Sequence, residues 1–232
     1  LDVGCGVGAL TGAIVQRCAP SAVVGIDPSE AFLRYAAAHN EATSPVRFAR
    51  AHAQALPCPT ATFDATVSGL TLNFLTDPAR ALTEMVRVTR PGGTVAAYVW
   101  DYSDPDFFLA RFWAAAAGAQ GARAPGDERH RWPLCSPAGL AQLADQTPLV
   151  SPRVWTLRIG ISFSSPEELW AGFLLGVGPS GVWAARLRPR QQAAVRAHLE
   201  ADLPVAADHS VRLTATAVAI AGSTSWQIDG PM

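Results

Sequence analysis

Over residues 1–100 the apolar positions alternate between two rhythms. Compact apolar runs at 1–3, 22–27, 46–48, 63–69 and 94–100 read as strands, and the run at 22–27 suits a parallel strand buried on both faces. Between them, 9–18, 28–40 and 79–89 carry apolar residues at helical spacing, with Phe32, Leu33 and Ala36 on one face of the second. Local chemistry marks the ends. Pro20 stops the first helix, Pro28-Ser29-Glu30 starts the second, and Asp77-Pro78 gives the third an N-cap and a first residue. Two prolines in 52–59 forbid regular pairing, which makes that stretch a loop. Arg90-Pro91-Gly92-Gly93 ends the third helix and turns into the strand at 94–100. Strands alternating with helices at about 20 to 30 residues per unit mean crossover connections and a parallel sheet.

Beyond residue 100 the rhythm changes. Asp104-Pro105 opens an aromatic helix through Phe107, Phe108, Phe112 and Trp113, first of all a packing face and only second a wall for a substrate. A polar stretch follows at 118–132, then a helix at 136–146 and a strand at 154–159. Ser165-Pro166-Glu167-Glu168 fits a capping box, with Ser165 at N-cap. That helix carries Leu169, Trp170 and Phe173 and breaks at 176–179; 189–203 is a further helix and 211–221 a final strand. The whole reads as one domain over 1–232, with 1–100 as the ligand-binding half and 101–150 and 160–205 as insertions over the carboxyl edge of the sheet.

Composition narrows the chemistry. The 232 residues are 49% hydrophobic and 16% charged, which is globular and large enough for a core. A net charge of -1 gives no electrostatic case for nucleic acid or an anionic membrane, and no run reaches the roughly 18 apolar residues of a membrane span. All 18 basic residues are Arg, so Schiff-base chemistry and a lysine-dependent phosphate loop are excluded. Cys5, Cys18, Cys58 and Cys135 show no paired spacing, and the five histidines are scattered, so neither a disulfide framework nor a metal site is indicated and a reducing cytoplasm is expected. No basic start leads into an apolar stretch, so no secretory leader is read.

The chemistry sits at the front. Leu1-Asp2-Val3-Gly4-Cys5-Gly6-Val7-Gly8 places three glycines at every second position between a strand and a helix. Such glycines permit left-handed backbone and a close ligand approach, while the helix start offers free N–H groups. Two cofactor classes use that layout. Gly4-x-Gly6-x-x-Ala9 with Asp27 also satisfies the dinucleotide fingerprint. Asp2 before the glycines, Phe63-Asp64 on the fourth strand and Arg90-Pro91-Gly92-Gly93 before the fifth are features that a dinucleotide does not need.

Together these residues resemble the class I S-adenosylmethionine-dependent methyltransferases, in particular the methyltransferase type 11 group that includes the quinone C-methyltransferases. Residues 1–8 look like that family's glycine motif, Asp27 its ribose carboxylate, and Ala55-Leu56-Pro57 its adenine-side loop. Phe63-Asp64-Ala65 matches the fourth strand and 87–93 the turn into the fifth. The resemblance covers 1–100, with a looser likeness at 165–178. It implies a Rossmann-like doubly wound α/β fold, a mostly parallel seven-stranded sheet with helices on both faces. It also implies S-adenosylmethionine as cofactor, and the aromatic and apolar insertions favour a small-molecule acceptor, apolar or aromatic, over a polymer.

The roles that it implies can be named residue by residue. Asp27 would accept both ribose hydroxyls, beside Pro28 and Ser29. Gly4, Cys5 and Gly6 would pass the methionine part, with Asp2 helping to hold its ammonium group and Ser68 and Gly69 contributing backbone near it. His52, Ala53 and Gln54 would face adenine, with His52 standing beside the place where the family carries an acid; a neutral imidazole can still accept the amino group's hydrogen bond. No general base is evident. Asp101, Tyr102 and His130 are the candidates, needed only if the acceptor must lose a proton. Cys5 reads as a small packed residue and Asp64 as structural.

The chain starts on Leu1, partway through a strand, and reads as a fragment whose earlier residues are missing. In the proteins it resembles, those residues form helices over the cofactor, so the piece is expected to be marginally stable. Two rival functions stay open, a NAD(P)-dependent oxidoreductase and a non-catalytic module that keeps the fold. The acceptor atom (O, N or C) and the oligomeric state stay open too.

Overall fold

The computed structural model describes residues 1–40, 45–122 and 126–225. These group into two compact units. One takes 1–99, 137–155 and 218–225; the other takes 100–136 and 156–217, with 123–125 of the polar stretch outside the described residues. Residues 137–150, expected as part of the insertion at 101–150, thus group with the glycine-rich half.

The first unit follows the sequence pattern closely. Its elements are β1 (Asp2–Val3), α1 (Ala9–Cys18), β2 (Val23–Asp27), α2 (Glu30–Ala38), β3 (Val46–Arg50), β4 (Phe63–Gly69), α3 (Pro78–Val88) and β5 (Thr89–Trp100). A single 3-10 turn, Leu72–Phe74, follows β4. The pairs β1–β2, β1–β4, β2–β3 and β4–β5 are all parallel, as alternating strands and helices require. Asp77 caps α3 as expected, its carboxylate accepting from Arg80 N at 2.9 Å with Pro78 behind it.

One boundary differs. Arg90-Pro91-Gly92-Gly93 lies inside β5, not before it: Phe63 pairs with Thr89 and Ala65 with Thr94, so these residues bulge out of the ladder. Gly92 takes φ 72 there, and Thr224 N donates to Gly93 O at 3.1 Å, so the bulged backbone is paired elsewhere. The core of this unit is Val3, Ile26, Leu72, Leu82, Met85 and Val95, all within 1% of full burial.

The remaining elements are α4 (Phe108–Gln120), α5 (Glu128–Arg131), α6 (Pro137–Ala144), β6 (Val150–Phe163), α7 (Pro166–Leu174), α8 (Gly178–Arg186), α9 (Pro189–Ala201) and β7 (Val211–Ser223). The seven strands form one sheet in the order β3-β2-β1-β4-β5-β7-β6. Helix α8 is not foreshadowed in the sequence, because its Gly-Pro-Ser-Gly start imitates a turn. Ser165 caps α7, accepting from Glu168 N, but the Glu168 carboxylate takes Ser164 N and Oγ in place of Ser165 N. The reciprocal half of the expected box is therefore shifted by one residue. Phe107, Phe112 and Trp113 are fully buried, and Phe112 stacks on Phe173 with centroids 4.2 Å apart. These aromatics are the core of the second unit; each contributes ~1.5–3 kcal/mol by burial.

Candidate functional site

The glycine turn hangs on β2. Gly4 N and Cys5 N both donate to Ile26 O, at 2.7 and 3.0 Å, which draws the turn over the end of the neighbouring strand. Gly4, Gly6 and Gly8 take φ 74, 54 and 88, conformations that a Cβ disfavours. Gly8 then stands as the N-cap of α1 with no side chain over the helix start, so its first N–H groups have no side-chain cap.

Asp27 ends β2 beside this turn. Its Oδ2 accepts from Gly6 N at 3.0 Å and its Oδ1 from Ser29 N at 2.8 Å. The main chain thus fixes the carboxylate from both sides, while a carboxylate's four lone-pair sites leave it room to accept two more donors. Across the turn, β4 ends at Gly69, and Leu70 follows with φ 54. Thr71 Oγ1 lies 3.1 Å from Gly4 O and 3.0 Å from Gly69 O, so one hydroxyl spans the ends of β1 and β4.

These parts enclose a cavity of about 540 Å³. Gly4, Cys5, Gly6, Asp27, Pro28, Ser29, His52, Ala53, Gln54 and Gly69 all line it. Asp2 and Ser68 do not. Asp2 lies fully buried, its Oδ2 accepting from Thr11 Oγ1 of α1 at 2.6 Å and its Oδ1 without a partner among the described residues. Burial pushes its carboxyl above the usual range. Ser68 Oγ donates to Val3 O at 2.8 Å. Both residues brace the strands beneath the turn. Burial likewise pushes the Cys5 thiol up to about 12, which leaves it a packed thiol with no thiolate character.

Sequence reasoning missed Phe32, Leu70, Thr71 and Phe74 on the cavity wall. Phe32, read in the sequence as sharing one apolar face of α2 with Leu33 and Ala36, is instead half-exposed while those two are buried, a split that the sequence does not signal.

The loop at 52–60 that carries His52, Ala53 and Gln54 is tied to α3. Leu56 N donates to Glu84 Oε2 at 2.9 Å, and Arg87 donates to Leu56 O at 3.0 Å and Cys58 O at 2.9 Å. The Arg87 guanidinium beside Glu84 holds that carboxyl below its ordinary value.

Asp101, Tyr102 and His130 belong to the second unit. Asp101 is buried, its Oδ1 accepting from Ser103 N at 3.0 Å and Ser103 Oγ at 2.5 Å. Tyr102 is buried against Phe107 and Trp132, and burial drives its phenol far above its ordinary value, so it keeps its proton. His130 is half-exposed with Nε2 4.0 Å from Asp127 Oδ2.

Glu128, absent from the sequence reading, is the buried acid of this unit at 1% exposure; Trp113 Nε1 donates to its Oε2. Burial raises its carboxyl. A raised carboxyl favours the protonated form in the fold. Its stabilisation is therefore full below the ordinary carboxylate range and is lost as pH rises through the raised value. Glu128→Ala should cost about 1–3 kcal/mol by stranding the indole N–H, and Glu128→Gln about 1 kcal/mol or less. Thermal melts across pH 4–8 check both: the glutamine variant should lose the fall in stability that the native chain shows as pH rises.

Comparison with known proteins places this geometry among relatives. Residues 1–97 match the model of the family described as "Methyltransferase domain". The chain is 40% identical over 114 residues to 2-methyl-6-phytyl-1,4-hydroquinone methyltransferase 2, chloroplastic, of Oryza sativa subsp. japonica, covering 49% of this chain and 32% of that one. It is 34% identical over 130 residues to trans-aconitate 2-methyltransferase of an Azoarcus strain, covering 54% and 50%. The chain thus spans a third to a half of these curated relatives. The solved YcgJ protein of Bacillus subtilis is similar in fold, with TM-score 0.61 at 15% identity over 97% of this chain and 90% of that one.

Proposed function

We propose that residues 1–97, which match the family described as "Methyltransferase domain", form a class I methyltransferase domain, and that the chain binds S-adenosylmethionine and passes its methyl group to a small-molecule acceptor. The observation that carries the reading is the Asp27 carboxylate, held by Gly6 N and Ser29 N at the lip of a glycine-walled cavity. A carboxylate so fixed accepts both hydroxyls of a ribose without rearranging. Gly4, Cys5 and Gly6 then pass along the methionine part, and His52, Ala53 and Gln54 face the adenine. Asp2 acts from below, through Thr11 and the strand it begins.

Methyl transfer from a sulfonium is an in-line displacement from a donor that is already activated. The acceptor's lone pair forms the new bond to the methyl carbon while the carbon–sulfur pair returns to sulfur. The protein's work is to hold the reacting atoms about 3 Å apart and keep water out. A base is needed only for an acceptor that must lose a proton. Tyr102 is unsuited, since burial holds its proton, which leaves Asp101 and His130 as candidates.

The two curated relatives act, by name, on a hydroquinone and on trans-aconitate. The near-neutral charge and apolar make-up of this chain favour the apolar or aromatic acceptor over the polyanion or a nucleic acid. We assign the protein to the cytoplasm on its unpaired cysteines. No helix among the described residues is long and apolar enough to cross a membrane.

Incubation with isotopically methyl-labelled donor and small-molecule extracts, read by mass spectrometry, tests the activity. The expected result is label in one or a few aromatic or apolar products. Nucleotide-dependent oxidation with no label transferred would favour the oxidoreductase, and ligand binding without turnover the non-catalytic module.

A further inference from the structure

We infer that Glu84 and Arg87, on the outer side of α3, position the loop that reads the base of the bound nucleoside, and so set base discrimination without touching the ligand. The inference rests on the adenosine reading above.

The loop at 52–60 cannot hold itself. Its one internal pairing is the bridge between His52 and Ala55, and Pro57 and Pro59 remove two backbone donors. Four of its main-chain groups are held by side chains of α3. Arg87 Nη2 donates to Leu56 O at 3.0 Å and Nη1 to Cys58 O at 2.9 Å, while the Leu56 N–H is taken by Glu84 Oε2 at 2.9 Å. The two side chains also grip each other, Arg87 Nε to Glu84 Oε1 at 2.7 Å and Nη2 to Oε2 at 2.8 Å. One turn earlier, Arg80 Nε donates to Gln54 O at 2.9 Å, on a residue that lines the cavity.

An ion pair three residues apart on an exposed helix contributes little by itself. This pair differs because each member also holds main chain, and because it is part-buried, with 33% and 19% of the two side chains exposed. Removing either member leaves a loop carbonyl or the Leu56 N–H without its partner and lets the segment shift. Leu56 and Ala53 are buried at 5% and 7% exposure and anchor the segment, so a shift at Leu56 passes along the short main chain to Gln54, Ala53 and His52. The fork geometry is essential. A lysine has the charge but cannot bind two carbonyls and both carboxylate oxygens from one ammonium.

The test is equilibrium dialysis of S-adenosylhomocysteine and its hypoxanthine counterpart, S-inosylhomocysteine, against the native chain, Arg87→Lys and Glu84→Gln. The native chain should prefer the adenine compound. Each variant should lose about tenfold in affinity for S-adenosylhomocysteine and less than twofold for the inosine compound, collapsing the preference. Parallel losses for both compounds, or no change in either, would overturn the inference, as would a native chain indifferent to the base. If Arg87→Lys does not fold, Arg80→Lys, which is exposed and gives up one bond to Gln54 O, should lower the preference about threefold, and an unchanged preference there would overturn the inference. A native chain that binds neither compound brings down the adenosine reading itself, a different failure.

Discussion

Replacing Asp27 with alanine should lower the affinity for S-adenosylhomocysteine by at least tenfold, and by up to about a hundredfold. A hydrogen bond to a charged group contributes about 1.5–3 kcal/mol, and every 1.4 kcal/mol is tenfold in binding, so the net loss of even one ribose hydroxyl's bond reaches that range. The turn suffers as well, because Gly6 N and Ser29 N lose the carboxylate that they now share. Asp27→Asn should fall between, since the amide keeps one acceptor oxygen and loses the charge. The helix that follows should survive, as Ser29 Oγ independently caps it by accepting from Phe32 N. Calorimetry checks the series. Native affinity in the alanine variant would remove Asp27 from the ribose.

The glycines of the turn should part company under mutation. At Gly4 an added Cβ would lie 2.3 Å from Thr71 Cγ2 and 2.8 Å from Thr71 Cβ. Rotating the threonine moves the first atom but not the second, so backbone must shift. Left-handed backbone at φ 74 adds about 1–2 kcal/mol for an L-residue, and the overlap about 1–3 kcal/mol. Gly4→Ala should therefore melt roughly 5–15 °C lower. At Gly6 the added Cβ meets nothing within 4 Å, yet Gly6 lines the cavity. Gly6→Ala should melt only a few degrees lower, from the backbone term alone, while losing tenfold or more in ligand affinity because the methyl occupies ligand space. Differential scanning calorimetry paired with ligand titration separates the two. Equal melting losses, or a Gly6→Ala variant that binds normally, would contradict the assignment of that face of the turn.

How much of this could be read from the sequence depended on the element. Residues 1–88 announced themselves because strand and helix periods alternate there and proline, aspartate and glycine sit at the boundaries. The bulge at 90–93 was hidden because Pro-Gly-Gly is the same signal for a turn and for an excursion within a strand; only the pairing of 92–93 with Thr224 decides between them. Helix α8 was hidden for a similar reason, its glycines and proline reading as a break.

In the site, the motif residues at 4–6, 27–29 and 52–54 came together at one cavity. Asp2 illustrates the limit: a motif fixes where a residue falls along a strand, but not where its carboxylate points, which the bond from Thr11 Oγ1 determines. Thr71 and Phe74 lie past the end of β4 in a short turn with no periodicity to mark them. Glu128 had no motif at all, and only its burial beside Trp113 distinguishes it from an ordinary surface glutamate.

The most direct test is a crystal grown with S-adenosylhomocysteine and NAD in equal excess. The account predicts density for the thioether nucleoside, its ribose hydroxyls on the Asp27 carboxylate and its amino-acid end along Gly4–Gly6. A pyrophosphate seated on the N–H groups at the start of α1, or a turn still filled by its own side chains, would contradict it.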